Sequence, residues 1–144
     1  MPDDSSGPHT YPFHAGADYI DILGHMNHTK YFIVLEKARW QIIRESATYP
    51  EVRAGNIMPV VLECEASFQK EIPPDKPMEV RTKVFRIRRS GFGFDQEIYG
   101  TDGTVRHFRA RVEVALISLK TRRVVRPPDY WVAALGLPAG GKRP

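Results

Sequence analysis

Cysteine is almost absent: Cys64 is the single one in 144 residues, so no intramolecular disulfide is possible and a reducing cytosol suits the chain. No apolar run approaches the roughly 18 residues that a membrane span needs, and the leading MPDDSSGPH does not read as a signal peptide, so a cytoplasmic location and no membrane span are expected. No Gly-x-Ser-x-Gly elbow occurs, which removes one common serine nucleophile. Internal repeats and a second domain are also missing. Charge imbalance is slight, 21 Lys and Arg against 17 Asp and Glu. The basic residues gather between Arg81 and Arg89 and between Arg106 and Arg126. On charge alone these stretches read equally as solvated strand faces or as a surface for nucleic acid or a phosphorylated cofactor.

What is present is ordinary for a globular chain, 42% hydrophobic and 26% charged. At this length one domain buries roughly 68–70% of its unfolded surface, enough to fold without disulfides or metal. Residues 1–9 read as a flexible leader, 10–135 as a single domain and 136–144 as a flexible tail. Tyr11, Phe13 and Ala15 alternate as a first strand. Gly16 marks a bend before a polar cluster of Asp21, Gly24, His25, Asn27 and His28.

A long helix follows, capped by Asn27 or Thr29 and closed off by Pro50. Its apolar residues sweep most of the way round, leaving Lys37, Gln41 and Arg44 as a narrow solvent face. Such a helix must be wrapped by other elements or lie between subunits. Glu36 and Arg39 fall inside the apolar arc, so they should pair with each other or a neighbour, or face a wet pocket.

The pattern then turns to period two. Val60 to Phe68 alternate as a half-buried strand, in which Cys64 reads as buried rather than nucleophilic. A second strand starts at Val80, with a bulge expected near Val84 where the apolar phase shifts to Phe85 and Ile87. Arg88 to Gly91 is a turn. Phe92 to Ile98 leads into the Asp102-Gly103 hairpin, and Phe108 to Leu116 forms a long last strand. Val124-Val125 returns briefly before a short helix at 129–135. The order gives an α+β fold, a long helix on a sheet of about five antiparallel strands, with the last four as a meander.

In the polar cluster, Asp21 has two readings: a turn or capping residue, or a general base or carboxylate nucleophile. His25 and Asn27 likewise have plain turn and N-cap roles. Asp21, His25 and His28 also admit a metal reading, but no firm further ligand stands nearby, so no metal is expected. The unpaired N–H groups at the helix start, near His28 and Thr29, suit an oxyanion. Gly24 would let a substrate approach closely. These are parts of acyl-transfer chemistry.

The run Asp21-Ile-Leu-Gly24-His25-Met26-Asn27-His28, with Tyr31-Phe32 and Glu36-Lys-Ala38-Arg39-Trp40, resembles the signature of the hotdog-fold acyl-CoA thioesterases of the 4-hydroxybenzoyl-CoA thioesterase class. It is most similar to the bacterial long-chain members, and the resemblance covers roughly Tyr11 to Val125. It implies a hotdog fold, with a long central helix wrapped by a curved sheet, and a homodimer or homotetramer with joined sheets and acyl-CoA sites at the subunit interface. Asp21 would be the catalytic carboxylate and the N–H near His28 the oxyanion donor, with His25, Asn27 and Tyr31 shaping the site. The chain departs from the pattern at Tyr19, at His28, and at Pro74-Asp75-Lys76-Pro77.

The expected activity is hydrolysis of an acyl-CoA or acyl carrier protein thioester in fatty acid metabolism, with coenzyme A as part of the substrate and no separate cofactor. Gly24, Glu36, Val61, Arg88, Arg89 and Arg106 are the substrate-binding candidates, the arginines for nucleotide phosphates. Leu35, Ile42, Val61 and Phe68 line either the core or an acyl tunnel. Two other readings stay open: a non-catalytic hotdog protein that binds acyl-CoA or acyl carrier protein, and a hotdog dehydratase. No nucleic acid is expected.

Overall fold

The alternating apolar stretches become strands and the apolar arc becomes a helix laid across them. The computed structural model describes residues 4–87 and 91–138. In chain order these are β1 (Ser5–Phe13), a 3-10 turn (Ala17–Tyr19), α1 (His28–Arg44), α2 (Tyr49–Ala54), β2 (Ile57–Phe68), β3 (Met78–Ile87), β4 (Gly91–Gly100), β5 (Arg106–Ser118), β6 (Val124–Val125) and α3 (Asp129–Ala134). The sheet is antiparallel in the order β1-β3-β4-β5-β2, and β6 pairs with β5. This is the hotdog fold.

Inward-facing Met78, Val80 and Val84 of β3, Phe92, Phe94 and Ile98 of β4, and Phe108, Val112 and Val114 of β5 are all buried. Against them α1 buries Tyr31, Val34, Leu35, Ala38, Ile42 and Ile43. Each large apolar side chain among these contributes about 1.5–3 kcal/mol, so packing on the sheet, rather than intrinsic propensity, holds α1. The core continues past the end of α1, where Ile42 and Ile43 meet Trp131, Val132 and Leu135 at α3.

Several expectations need correction. Only β3, β4 and β5 form a meander; β2 lies at the far edge beside β5, because the segment 69–77 carries the chain across the sheet. Alternation reports which face a residue takes, not which strand lies next to it. β2 is also largely exposed on both faces, Cys64 included, so it is not the half-buried strand expected. β3 itself carries no bulge at Val84 toward β4, with which it pairs in continuous register; the irregularity beside Val84 lies on the facing strand β1. Phe85 and Ile87 are apolar because they cover Gly93 on the outer face: a Cβ at Gly93 would sit 2.3 Å from the Phe85 ring. The register shift falls instead on β1, between Ser6 and His9.

Pro50 does not merely end the helical region; it stands at the start of α2, where a missing N–H is harmless. The strand β1 begins at Ser5, inside the expected leader. Gly136 and Leu137 belong to the folded body rather than the tail, with Leu137 buried and its N–H bonded to Val132 O. Arg88 and Arg89 lie outside the described residues.

Candidate functional site

Between the 3-10 turn and α1 the chain makes a tight loop, bridged at its base by Ile20 and Met26. Asp21 N–H donates to His25 O and Gly24 N–H to Asp21 O. Gly24 takes φ 85°, which an L side chain rarely adopts. No atom of the described residues lies within 4 Å of a Cβ built there, so within this chain it is the positive φ that calls for glycine.

That loop fixes the Asp21 carboxylate. Oδ1 accepts from Leu23 N–H at 3.0 Å and Oδ2 from Asn27 Nδ2 at 3.3 Å. Asn27 is the N-cap of α1, its Oδ1 accepting from Thr29 N–H at 2.9 Å and from the Thr29 hydroxyl at 2.6 Å. The cap therefore takes the Thr29 N–H, one of the two expected oxyanion donors. The other, His28 N–H, has no hydrogen-bond partner among the described residues.

Asp21, His25, His28 and Tyr31 line one open cleft of about 370 Å³, with Phe68, Gln69, Lys70 and Glu71 on its opposite wall. Tyr31 is buried, its ring packed on Phe68 and Phe108 at 4.9 Å each. Burial, reinforced by Glu71 and Asp21, raises its phenol pKa, so it stays neutral and able to donate.

The opposite wall was not legible in the sequence. His25 Nε2 lies 3.3 Å from Glu71 Oε2, an ion pair when the imidazole is protonated. Glu71 is placed by His107, which is buried within β5: His107 Nδ1–H donates to Glu71 O at 3.0 Å, and His107 O accepts from Gln69 and Lys70 N–H. Met26 N–H donates to Ile72 O, joining the two walls. Glu71 and His107 are 36 residues apart and carry no shared motif.

The remaining candidates lie elsewhere. Arg106 stands behind the cleft, with NH1 on Glu97 at 2.7 Å and Nε on Gln69 Oε1 at 2.9 Å, so its charge is already paired. Arg111 is likewise paired with Asp95 across β4 and β5, which makes this part of the basic stretch a strand face of cross-strand ion pairs. Glu36 and Val61 line a separate cavity on the sheet side of α1, together with Arg39. Arg39 does not pair with Glu36: no carboxylate of the described residues lies within ion-pairing distance, and its NH1 donates instead to Gln96 Oε1 at 2.9 Å. Cys64 is exposed, and the partial shielding it has raises its thiol pKa against a weaker pull from Arg39, so it makes a poor nucleophile. Among the described residues no cluster of three or more His, Cys, Asp or Glu suits a metal ion, and no helix is long and apolar enough to cross a membrane.

The antiparallel sheet and the long helix laid across it are those of the hotdog class. Residues 16–135 match the model of the thioesterase-like superfamily, and the chain belongs to that superfamily. No curated protein matches by sequence. Solved structures that share the fold include YbaW, a probable thioesterase of Escherichia coli, at 19% identity and TM-score 0.75, covering 81% of this chain and 88% of that one. A 1,4-dihydroxy-2-naphthoyl-CoA thioesterase of Synechocystis aligns at 16% identity and TM-score 0.78, over 88% of this chain and 94% of its own. A hypothetical protein of Staphylococcus aureus, solved in complex with CoA, aligns at 16% identity and TM-score 0.79, over 94% and 84%.

Proposed function

We propose that this chain is a thioester hydrolase acting on an acyl-CoA, with Asp21 as its catalytic carboxylate. The observation that carries the reading is the placement of Asp21, both oxygens held by Leu23 and Asn27, beside the free His28 N–H at the start of α1. The Asp21 carboxylate takes a proton from water as that water attacks the thioester carbon, or attacks the carbon itself. The oxyanion that forms meets the His28 N–H and the positive end of the helix. The C–S bond then breaks and the sulfur is protonated, so the coenzyme A thiol leaves. The water route frees the carboxylic acid in the same step, whereas direct attack leaves an Asp21–acyl anhydride that a water then cleaves to the acid and the free carboxylate. His25 and Tyr31 are the nearby groups able to give a proton, and Lys70 on the far wall offers a cation toward the phosphates.

We also propose a homodimer. The edge strand β2 exposes Val61 and Leu62 at 51% and 65%, and α1 leaves Phe32 and Ile33 partly uncovered. An exposed apolar edge of this length is an invitation to strand pairing, and a second copy would cover it and the open side of α1.

A thiol-release screen across short, long and aromatic acyl-CoAs tests the function. Release of free thiol from at least one class, dependent on Asp21, is the expected result. Thermal stabilisation by acyl-CoA without thiol release would replace hydrolysis by binding, and conversion of a hydroxyacyl thioester without thiol release would replace it by dehydration.

A further inference from the structure

The cavity that collects Glu36 and Val61 holds about 110 Å³. An apolar cavity of about 150 Å³ takes up benzene, so this smaller one suits a chain of about four carbons and takes a ring only tightly. Its inner walls are Ile43, Phe92, Phe94, Val114 and Leu116, and its outer rim is Glu36, Pro59 and Val61.

One half-buried cation is out of keeping with those walls. Arg39 lines the cavity with no carboxylate of the described residues within 4 Å; its one hydrogen bond there is to Gln96. Gln96 is fully buried and cannot turn away, because its Nε2 donates to Leu35 O and to Thr82 Oγ1 at 3.1 Å each. The neutral amide thus aims the guanidinium without neutralising it. Trp131, 1% exposed, lines the same cavity, and its Nε1–H has no hydrogen-bond partner. Burial, opposed by Glu36 and then Cys64, lowers the Arg39 pKa.

We propose that this cavity binds a small carboxylic acid, its carboxylate held by Arg39 and its hydrocarbon body enclosed by Phe92, Phe94 and Val114. A carboxylate matches a guanidinium in shape and charge, and the walls exclude water from the hydrocarbon. Glu36 at the rim opposes an anion, so it sets an upper limit on affinity. The ligand belongs to the class of product that a thioester hydrolase releases. That link rests on the proposed function, whereas the binding itself does not.

The test uses free acids and no thioester, so its failure leaves hydrolysis untouched, and loss of hydrolysis leaves it untouched. The ¹⁵N-labelled protein is titrated with benzoate, butyrate and the neutral isosteres benzyl alcohol and butanol, with calorimetry in parallel. The indole signals of Trp40 and Trp131 are told apart with Trp40→Phe. Benzoate or butyrate should shift the Trp131 indole N–H signal and bind at least about tenfold tighter than its neutral partner, the lower end of what a charge-assisted bond supplies. Arg39→Met should abolish that advantage. Glu36→Gln, at the exposed rim of the cavity, should tighten the acid and leave the alcohol unchanged, which keeps the test open if Arg39→Met does not fold. Equal binding of acid and alcohol, an acid affinity indifferent to Glu36→Gln, or no shift at Trp131 with any probe would overturn the proposal.

Discussion

Asn27 performs two tasks with one amide. Its oxygen caps α1 and its nitrogen steadies Asp21, and the two are separable by mutation. Asn27→Ala should lose about 1 kcal/mol of stability with the cap and lower turnover as well. Asn27→Asp keeps a good cap acceptor but removes the donor to Asp21, so its melting temperature should fall less than that of Asn27→Ala while kcat falls at least as far. Thermal melts beside thiol-release rates decide this. Gln96 is the corresponding residue under the helix. Replacing it by Ala leaves Arg39, Thr82 and Leu35 O each short of a partner; a loss of about 2–3 kcal/mol in urea unfolding is expected. Asp21, His25, Asn27, His28 and Tyr31 stand within eleven positions across one helix start, so the sequence groups them. Local rules, however, gave Asp21, His25 and Asn27 plain turn or cap roles, and the family resemblance alone made Asp21 the catalytic candidate. Glu71 and His107 were not legible, because β5 and the crossing segment bring them to the cleft and no local pattern marks either.

Among the elements, α1 and β2 depart most from a simple buried-or-exposed division. The alternation in β3, β4 and β5 revealed their inward faces, since each has a core on one side. The same alternation in β2 misled, because the chain by itself supplies no cover for it. In the proposed homodimer a second copy would cover its apolar residues. Leu62→Asp should therefore convert a dimer to a monomer at micromolar concentration while leaving far-UV circular dichroism intact; sedimentation velocity reads the difference. A buried neighbour behaves oppositely. Ile98→Ala, under α1, should cost about 2–5 kcal/mol of stability in the folded unit itself.

Across the whole molecule, the two ends of the chain are tied together at His9. The Ser6 hydroxyl donates to Leu135 O at 2.6 Å, so His9 Nε2–H must donate to Ser6 Oγ, at 2.9 Å. Partial burial holds the His9 pKa below its ordinary 6.5, with Glu45 pulling the other way. The unfolded chain thus binds more protons than the folded one just below pH 6.5. This contribution to stability is present above that value and is lost as pH falls through the lower folded value. Melts of His9→Gln against the parent between pH 7.5 and about 5 should converge as the pH drops. Tyr31 acts at the other end of the scale: its raised pKa means that stability declines as pH rises past its ordinary 10.0. The central claim concerns Asp21, and one comparison tests it most directly: single-turnover thiol release by Asp21→Asn and the parent on the best acyl-CoA of the screen, with circular dichroism confirming an intact fold. A general base supplies about 10²–10⁴-fold in rate. The account predicts a fall of at least about a hundredfold, and a well-folded Asp21→Asn protein turning over at near the parent rate would contradict it.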